Sequence, residues 1–333
     1  AVMQTNLPQD FVRLMHEHFD TETAEGLCSA LISTAPEVSI RLNLRKMSVE
    51  DVLAFRPELE QVSWCPGAFY LKDRPAFTFD PLFHAGAYYV QEASSMFVEQ
   101  VVRQHVDGSV RALDLCAAPG GKSTHLLSLL PQGSMLVSNE PVPQRAQVLA
   151  ENVIKWGNPA SVVTRNEPAD FGKFANFFDL VVVDAPCSGE GMFRKDEQAQ
   201  DQWSEDNVAL CEARQRRIVA DVWPALAQNG LFIYSTCTFN TRENDGNVRW
   251  ISEELQAEVL LKEDRLAGMP GVFKTECGYS LVPGFVEGEG QYCSALIKTG
   301  ISQPVFASRR SGRTAAKVQK LDIPKNVKEM FDR

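Results

Sequence analysis

Two cysteines, Cys187 and Cys237, each stand just after a run of apolar residues. Cys187 lies in the segment Asp-Ala-Pro-Cys-Ser-Gly-Glu-Gly at residues 184–191, and Cys237 lies in Ser-Thr-Cys-Thr at residues 235–238. A thiolate is a strong nucleophile, but a free thiol with a pKa of about 8.5 is only a few per cent ionised at neutral pH. We therefore expect one cleft that holds both thiols and Asp184, and that activates one of the thiols.

A glycine-rich loop and two acids point to a second binding function. The loop reads Asp-Leu-Cys-Ala-Ala-Pro-Gly-Gly-Lys at residues 114–122, and Gly120 and Gly121 would let its backbone approach a ligand just before a helix. It matches neither the dinucleotide fingerprint nor the phosphate loop. Glu140 follows the second predicted strand, where an acid accepts hydrogen bonds from ribose hydroxyls, and Glu167 follows the third, within reach of an adenine. Together these residues favour a nucleoside cofactor.

The elements that must position these residues begin at about residue 106. We predict strands at residues 110–115, 134–138, 161–164, 178–184, 231–235 and 291–298, and helices at residues 122–130, 142–156 and 204–228. Strands that alternate with helices are typical of an α/β fold, a doubly wound parallel sheet covered on both faces. Ligands of such a sheet bind at the carboxyl ends of the strands, where the residues above are found.

The part before residue 106 predicts a smaller α+β unit. A helix follows Pro8, with Phe11, Leu14 and Met15 at helical spacing, and residues 39–44 alternate like a strand. We expect three parts in all. They are an N-terminal α+β domain at residues 1–105, the domain of the parallel sheet at residues 106–300, and a basic tail or the start of a further module at residues 301–333.

Composition limits the class of protein. The chain has 333 residues, 44% hydrophobic and 23% charged, which is ordinary for a globular protein of about two domains. We expect a cytoplasmic protein, because no long apolar stretch and no basic-then-apolar start indicates a membrane span or a secretory signal. The eight cysteines show no CxxC pair, so we expect free thiols and no metal site.

Charge is distributed unevenly along the chain. The net charge of −10 argues against indiscriminate binding of nucleic acid. Residues 301–333, however, carry eight basic and three acidic side chains. This tail is either solvated or in contact with phosphates, and the sequence leaves both readings open.

The ordered motifs resemble those of the Nop/Sun family of RNA 5-methylcytosine methyltransferases. The resemblance rests on residues 114–122, 184–191 and 235–238, and extends to residues 41–46, 89–96, 194–196 and 214–216. Within the family the chain is most similar to the bacterial 16S ribosomal RNA methyltransferase F group. The resemblance implies a Rossmann-like class I methyltransferase sheet that uses S-adenosyl-L-methionine to methylate carbon 5 of a cytosine in RNA. It also implies that residues 1–105 position the RNA, that residues 106–300 form the methyltransferase domain, and that a further module beginning at residues 301–333 would bind RNA.

The resemblance also assigns roles to residues. Cys237 would be the nucleophile that attacks carbon 6 of the cytosine, Cys187 would assist release of the methylated RNA, and Asp184 would meet the charge that builds at nitrogen 3. The cofactor would be held by Cys116, Ala117, Ala118, Pro119, Gly120, Gly121, Lys122, Glu140, Glu167 and Asp184. Arg41, Lys46, Arg194 and Lys195 are candidates to bind RNA phosphates, with solvated salt bridges as the alternative.

Three other functions remain open at this stage. The substrate could be transfer RNA rather than ribosomal RNA. A DNA cytosine-5 methyltransferase would use a Pro-Cys thiol such as Cys187 as its nucleophile, and would leave Cys237 unexplained. A ribosome-assembly factor could keep the fold for binding alone.

Overall fold

The first hundred residues form helices around a small antiparallel sheet. A computed structural model describes residues 7–262 and 269–302 of the chain. The helices here are α1 (Gln9–His18), α2 (Thr21–Ser33), α3 (Val49–Phe55), α4 (Pro81–His84) and α5 (Val98–His105), and the strands are β1 (Val38–Leu42), β2 (Gln61–Val62), β3 (Cys65–Leu71) and β4 (Tyr88–Val90). The strands pair in the order β2-β3-β1-β4. The predicted helix after Pro8 is confirmed, with Phe11, Leu14 and Met15 buried.

The remainder of the described chain forms a nine-stranded sheet. Its strands are β5 (Arg111–Asp114), β6 (Met135–Asn139), β7 (Ser161–Thr164), β8 (Phe178–Asp184), β9 (Leu226–Thr236), β10 (Ala257–Leu260), β11 (Val272–Lys274), β12 (Tyr279–Leu281) and β13 (Gln291–Lys298). Its helices are α6 (Gly121–Leu129), α7 (Pro143–Trp156), α8 (Pro168–Phe171), α9 (Glu197–Gln202), α10 (Glu205–Val222) and α11 (Asp245–Glu254).

Five parallel strands form one side of this sheet, in the order β7-β6-β5-β8-β9, with β7 at the edge. Strand β13 then pairs antiparallel with β9. Strand β8 is apolar on both faces, as a strand covered by helices on each side must be. The predicted doubly wound α/β sheet is confirmed, and the carboxyl ends of its parallel strands meet at one edge.

The long helix before β9 ends earlier than the sequence pattern predicted. Ser204 is its N-cap, as expected, and accepts a hydrogen bond from the backbone of Asn207. The α-helix ends at Val222 rather than at residue 228, and Gly230 lies inside strand β9. Pro224 explains the difference, because its ring removes a backbone donor and sits in a short 3₁₀ turn that turns the chain into the sheet.

The two sheets share a hydrophobic core. Trp64 and Ala68 of the small sheet belong to the same buried cluster as Leu126, Leu149 and Leu180 of the large one. The small unit is therefore packed directly against helices α6 and α7. Within residues 7–262 and 269–302, every helix is too short or too polar to cross a bilayer. The predicted basic segment lies outside the described residues except for positions 301 and 302.

Candidate active site

A cavity of about 740 Å³ opens at the carboxyl edge of the large sheet. Its wall includes seven of the residues that the sequence singled out, namely Cys116, Ala118, Glu140, Glu167, Asp184, Cys187 and Cys237. They follow strands β5, β6, β7, β8 and β9, so the parallel sheet brings together residues that are up to 121 positions apart in the chain. One enclosed volume thus faces both the thiols and the acids.

The two thiols are in contact. The Sγ atoms of Cys187 and Cys237 are 3.1 Å apart, and either can donate a hydrogen bond to the other. The hydrogen bond with Cys237, together with burial and the nearby Glu243 carboxylate, raises the pKa of Cys187 well above its ordinary value. Cys187 therefore keeps its proton at neutral pH and is the natural donor in this pair. A donated S–H would stabilise a thiolate on Cys237.

Asp184 is held from two sides at the base of the cavity. Its Oδ2 lies 2.9 Å from the ammonium group of Lys122, and its Oδ1 accepts a hydrogen bond from the Ser235 hydroxyl at 2.7 Å. Burial alone would lower the pKa of Lys122, but the Asp184 carboxylate outweighs it and raises that pKa. Lys122 thus stays charged and offsets the negative charge of Asp184. The predicted cofactor loop supplies this cation through its last side chain.

The rest of the loop is packed mostly against protein. Cys116 and Ala118 line the cavity, whereas Ala117 is buried and the Ala118–Pro119 peptide bond is cis. Gly120 has a φ of 117°, which favours glycine, and it precedes α6. A Cβ at Gly121 would lie 3.4 Å from the side chain of Gln91 in the small unit. Gly120 and Gly121 therefore permit close packing of α6. The residues of the loop that line the cavity come before them, at Cys116 and Ala118.

The two acids that follow β6 and β7 differ in their surroundings. Glu140 is buried, accepts a hydrogen bond from the backbone of Val142, and lies 3.4 Å from Arg145. Glu167 is exposed on the cavity rim, and its backbone donates to Asp170. Val142, Pro168 and Ile218 add apolar surface between them. An acid beside apolar walls fits a ribose and a flat base, and this fit is better defined at Glu140 than at Glu167.

A buried network that the sequence reading missed ties the two cysteine loops together. Asn240 donates from Nδ2 to both Glu190 Oε1 at 2.8 Å and Glu243 Oε2 at 2.6 Å. Glu243 also accepts hydrogen bonds from the backbone and hydroxyl of Ser188, the neighbour of Cys187. Burial and the adjacent Glu190 carboxylate raise the pKa of Glu243. The only hint in the sequence was that these polar residues follow Cys187 and Cys237 closely.

Helix α10 contributes a wall that the sequence reading did not assign. Arg214, Arg217, Ile218 and Asp221 line the cavity from this helix. Their spacing of three or four residues was visible in the sequence and places them on one helical face. Which face meets the cavity was not visible, because it depends on how α10 packs.

Two of the four candidate RNA-binding residues are buried. Arg41 is 2% exposed, donates to Gln91 Oε1 and Thr124 Oγ1, and lies over the ring of Trp156. It joins β1 to helix α6 and cannot reach an RNA phosphate from this position. The prediction for Arg41 is corrected on that ground. Helices α6 and α7 pack against the face of β1 that carries Arg41. The Arg41 side chain therefore contributes to the contact between the two sheets.

The side chain of Arg194 is equally inaccessible, at 2% exposure. Its guanidinium pairs with Glu289 at 3.0 Å and Glu37 at 3.4 Å, and donates to the carbonyl of Gly288. The phosphate-binding role predicted for Arg194 is corrected for the same reason. Lys46 is exposed, but its amine donates to the carbonyls of Ala85 and Lys155.

Lys195 keeps a partly exposed side chain. It is 31% exposed and lies 3.8 Å from Glu289, so it is accessible to an anion. Of the four candidates, Lys46 and Lys195 remain on the surface. Their predicted contact with RNA stays a prediction.

A second cluster of ligand-type side chains lies away from the cavity. Cys65, Glu99 and His125 are buried together, where the two sheets pack. His125 Nε2 lies 2.7 Å and Cys65 Sγ lies 3.0 Å from Glu99 Oε2, and Arg103 donates to the other carboxylate oxygen. Burial, with Arg41 nearby, lowers the pKa of His125 to about 4. These hydrogen bonds satisfy the Glu99 carboxylate without an ion.

The sequence matches two known families over most of its length. Residues 103–297 match the family described as 16S rRNA methyltransferase RsmB/F, and residues 7–93 match the N-terminal domain of 16S rRNA methyltransferase RsmF. The ribosomal RNA small subunit methyltransferase F of Pectobacterium atrosepticum is 31% identical over 313 residues, which cover 90% of this chain and 64% of that protein. The protein of the same name from Cronobacter sakazakii is 32% identical, with 90% and 65% covered. The chain thus spans less than two thirds of the length of these relatives.

Solved structures share the fold. A methyltransferase homolog protein from Pyrococcus horikoshii has a TM-score of 0.75 at 22% identity, with 89% of this chain and 97% of that chain covered. The structure of NSun6 from Pyrococcus horikoshii with SFG has a TM-score of 0.74 at 16% identity, with 88% and 98% covered. At these identities the likeness establishes a Rossmann-like methyltransferase fold over most of the chain.

Proposed function

Because the chain belongs to the family described as 16S rRNA methyltransferase RsmB/F, we propose that it methylates carbon 5 of a cytosine in 16S ribosomal RNA. The methyl donor is S-adenosylmethionine. The observation that carries the proposal is the pair of thiols 3.1 Å apart on the wall of a cavity that also contains Glu140 and Asp184.

The cavity fits the donor. Buried Glu140 provides an acceptor for ribose hydroxyls, and the apolar surface of Val142, Pro168 and Ile218 suits the adenine. Cys116 and Ala118 form the part of the wall nearest β5, with Asp184 beside them. When bound there, S-adenosylmethionine supplies the electrophilic methyl group. Glu167 is placed to contact the adenine from the rim.

Carbon 5 of cytosine is too weak a nucleophile to take a methyl group directly, so covalent addition must come first. The Cys237 thiolate bonds to carbon 6, and the ring electrons move toward carbon 5 and nitrogen 3. The Asp184 carboxylate would by itself repel that charge. Lys122, 2.9 Å away, offsets the charge of the carboxylate, and a proton carried by Asp184, or by a water that bridges it to the ring, would then neutralise nitrogen 3.

Release reverses the addition. After methyl transfer, carbon 5 loses its proton to a base, the bond between sulfur and carbon 6 breaks, and its electron pair returns to Cys237. The protonated Cys187 thiol donates a hydrogen bond to the departing sulfur and so makes it a better leaving group. The two cysteines therefore have different roles throughout the reaction. Cys237 forms and breaks the bond to carbon 6, and Cys187 only donates a hydrogen bond.

The target base must leave any helical stack to reach Cys237. Extrusion from a stack costs a few kcal/mol, which favours a cytosine in a loop or a single-stranded segment. A methylated site in 16S ribosomal RNA is therefore expected in an unpaired region. The transfer RNA alternative differs only in the molecule that presents such a loop.

Separate cysteine variants test the proposal. The chain is incubated with S-adenosylmethionine and either 16S ribosomal RNA or transfer RNA, and methylated cytosines are mapped while denaturing gels reveal covalent protein–RNA adducts. Cys237→Ala should form neither product nor adduct, whereas Cys187→Ala should accumulate an adduct. Cys28→Ala, which changes a thiol in α2 away from the cavity, is the matched control and should behave as the unmodified chain.

The other outcomes identify the alternatives. Adduct formation that needs Cys187 and survives Cys237→Ala would assign the nucleophile to the Pro-Cys motif, as in DNA cytosine-5 enzymes. Methylation of transfer RNA alone would change the substrate. If the chain bound 16S ribosomal RNA but methylated neither RNA, the remaining interpretation would be a non-catalytic ribosome-assembly factor.

A further inference from the structure

The cavity mouth carries two arginines that no structural role explains. Arg214 and Arg217 are both exposed and both line the cavity that contains Cys237. In the part of the chain that the structure describes, neither guanidinium forms an ion pair, and Asp221 on the same wall pairs with neither.

Neighbouring residues on the same helix do have structural partners. Gln215 is fully buried and donates to the Pro186 carbonyl and to Glu243 Oε1, which fixes α10 against the Cys187 loop. Arg216 pairs with Glu212 and donates to Asn247 on the opposite side. The helix is therefore anchored through Gln215 and Arg216, and this anchoring sets Arg214 and Arg217 at the mouth.

From these contacts we infer that Arg214 and Arg217 form a binding site for the phosphates of the RNA strand that presents the target cytosine. The inference rests on the proposed function, and it deepens that function by placing the RNA backbone at α10. Residues three apart on a helix have Cβ atoms about 5–6 Å apart, so the two guanidinium groups can hold one phosphate or two successive ones. Each offers a planar set of donors that matches phosphate oxygens.

The position of the arginines suits the backbone of an extruded nucleotide. A cytosine that enters the cavity from solvent to reach Cys237 keeps its ribose and phosphates toward the solvent, at the mouth. The wall that follows β6, β7 and β8 carries Glu140, Glu167 and Asp184, which would repel phosphate, and the cation on that wall, Arg145, already lies 3.4 Å from Glu140. The mouth on the α10 side is thus the cationic route for the strand.

Removing the two charges tests the inference. Arg214→Gln, Arg217→Gln and the double variant are compared by measuring the affinity of the full chain for unmethylated 16S ribosomal RNA over a range of salt concentrations. We expect the double variant to bind about tenfold or more weakly, with a salt slope reduced by about one to two, since each phosphate contact contributes about 0.7–1. Affinity for S-adenosylmethionine should not change.

Arg111→Gln is the matched control. Arg111 is 47% exposed at the amino end of β5, on the opposite edge from the cavity, and its loss removes the same charge. Arg214→Lys keeps the charge without the planar donors and should retain most of the salt slope. Thermal unfolding checks that each variant folds.

Two results would overturn the inference. RNA affinity and salt slope in the double variant that equal those of Arg111→Gln would exclude phosphate contacts. Weaker binding of S-adenosylmethionine with RNA binding unchanged would assign the anion to the carboxylate of the cofactor. Neither readout depends on methyl transfer, so failure of the proposed enzyme activity would be seen separately, as a chain that binds RNA in this way without methylating it.

Discussion

At the scale of single residues, the site depends on a close backbone contact beside Cys237. The backbone N–H of Gly191 donates to the carbonyl of Cys237 at 2.7 Å, and so fixes the backbone of the proposed nucleophile. A Cβ at Gly191 would lie 2.4 Å from that oxygen and 3.0 Å from the carbonyl of Gly290. Glycine is needed here because of space rather than because of its backbone angles.

Gly191→Ala is therefore expected to displace Cys237. We predict a loss of methyl transfer of at least about tenfold, and a decrease in the free energy of unfolding of about 1–3 kcal/mol from overpacking. Single-turnover methylation and urea unfolding measure the two effects. Gly108→Ala, at a position with open space around it, should change neither, and equal activity in both variants would contradict this account of Gly191.

A buried acid beside the cavity predicts a pH dependence of stability. Burial and the nearby Asp184 raise the pKa of Asp114 from 3.8 to about 7, although Ser123 donates to it. The folded chain then binds a proton that the unfolded chain releases between pH 4 and 7. The contribution of Asp114 to stability is thus lost as pH rises through that window and stays lost above it.

Asp114→Asn should remove this dependence. Relative to the variant, the unmodified chain should lose on the order of 3 kcal/mol of unfolding free energy between pH 4 and pH 7.5, since each pKa unit corresponds to about 1.4 kcal/mol. Urea unfolding at several pH values gives the difference. Parallel pH profiles for the two chains would show that Asp114 has an ordinary pKa in the folded state.

At the scale of elements, buried ion pairs hold connecting segments to one another. Arg194 follows the short 3₁₀ turn after the Cys187 loop and connects it to Glu37 beyond α2 and to Glu289 before β13. Burial raises the pKa of Glu289, and Arg194 opposes this shift. Arg194 and Glu289 are both shielded from water, so each neutralises the charge of the other.

Arg194→Met should leave Glu289 buried without its main partner. We expect the free energy of unfolding to fall by about 3–5 kcal/mol, as when one member of a buried pair is removed. Lys195→Met, one residue further and partly exposed, should lower it by less than about 1 kcal/mol. Chemical denaturation of both variants checks the contrast, which would fail if the two losses were similar.

At the scale of the whole molecule, the small sheet and the large sheet are packed through one core. Arg41 and Asn43 extend that contact, since Arg41 donates to Thr124 and Asn43 donates to the carbonyl of Trp156. One buried cluster thus spans the proposed domain boundary near residue 105. Separating the sheets would expose Trp64 and Met96.

This packing predicts a single cooperative unfolding transition for the chain. Tryptophan fluorescence and far-ultraviolet circular dichroism should give coincident curves with the same midpoint in guanidinium chloride. Arg41→Met should lower that midpoint without splitting the transition. Two separated transitions would instead indicate that residues 1–105 fold as an independent unit.

Much of the site could be predicted from the sequence because it depends on local pattern. The runs before Asp184 and Cys237 are strands at the predicted places, and parallel strands necessarily bring their carboxyl ends together. The roles of Arg41 and Arg194 could not be predicted, because a guanidinium on the surface and one buried in an ion pair have the same sequence signal.

The sequence by itself determined the alternation of strands and helices, the order of the motifs and the residues that carry the chemistry, since periodicity and turn residues act within a few positions of each other. Tertiary structure alone decided which atoms meet. The contact between Cys187 and Cys237, the pairing of Lys122 with Asp184, and the face that α10 turns to the cavity depend on packing between segments far apart in the chain. Burial, which sets charge and access, exists only once those segments have packed.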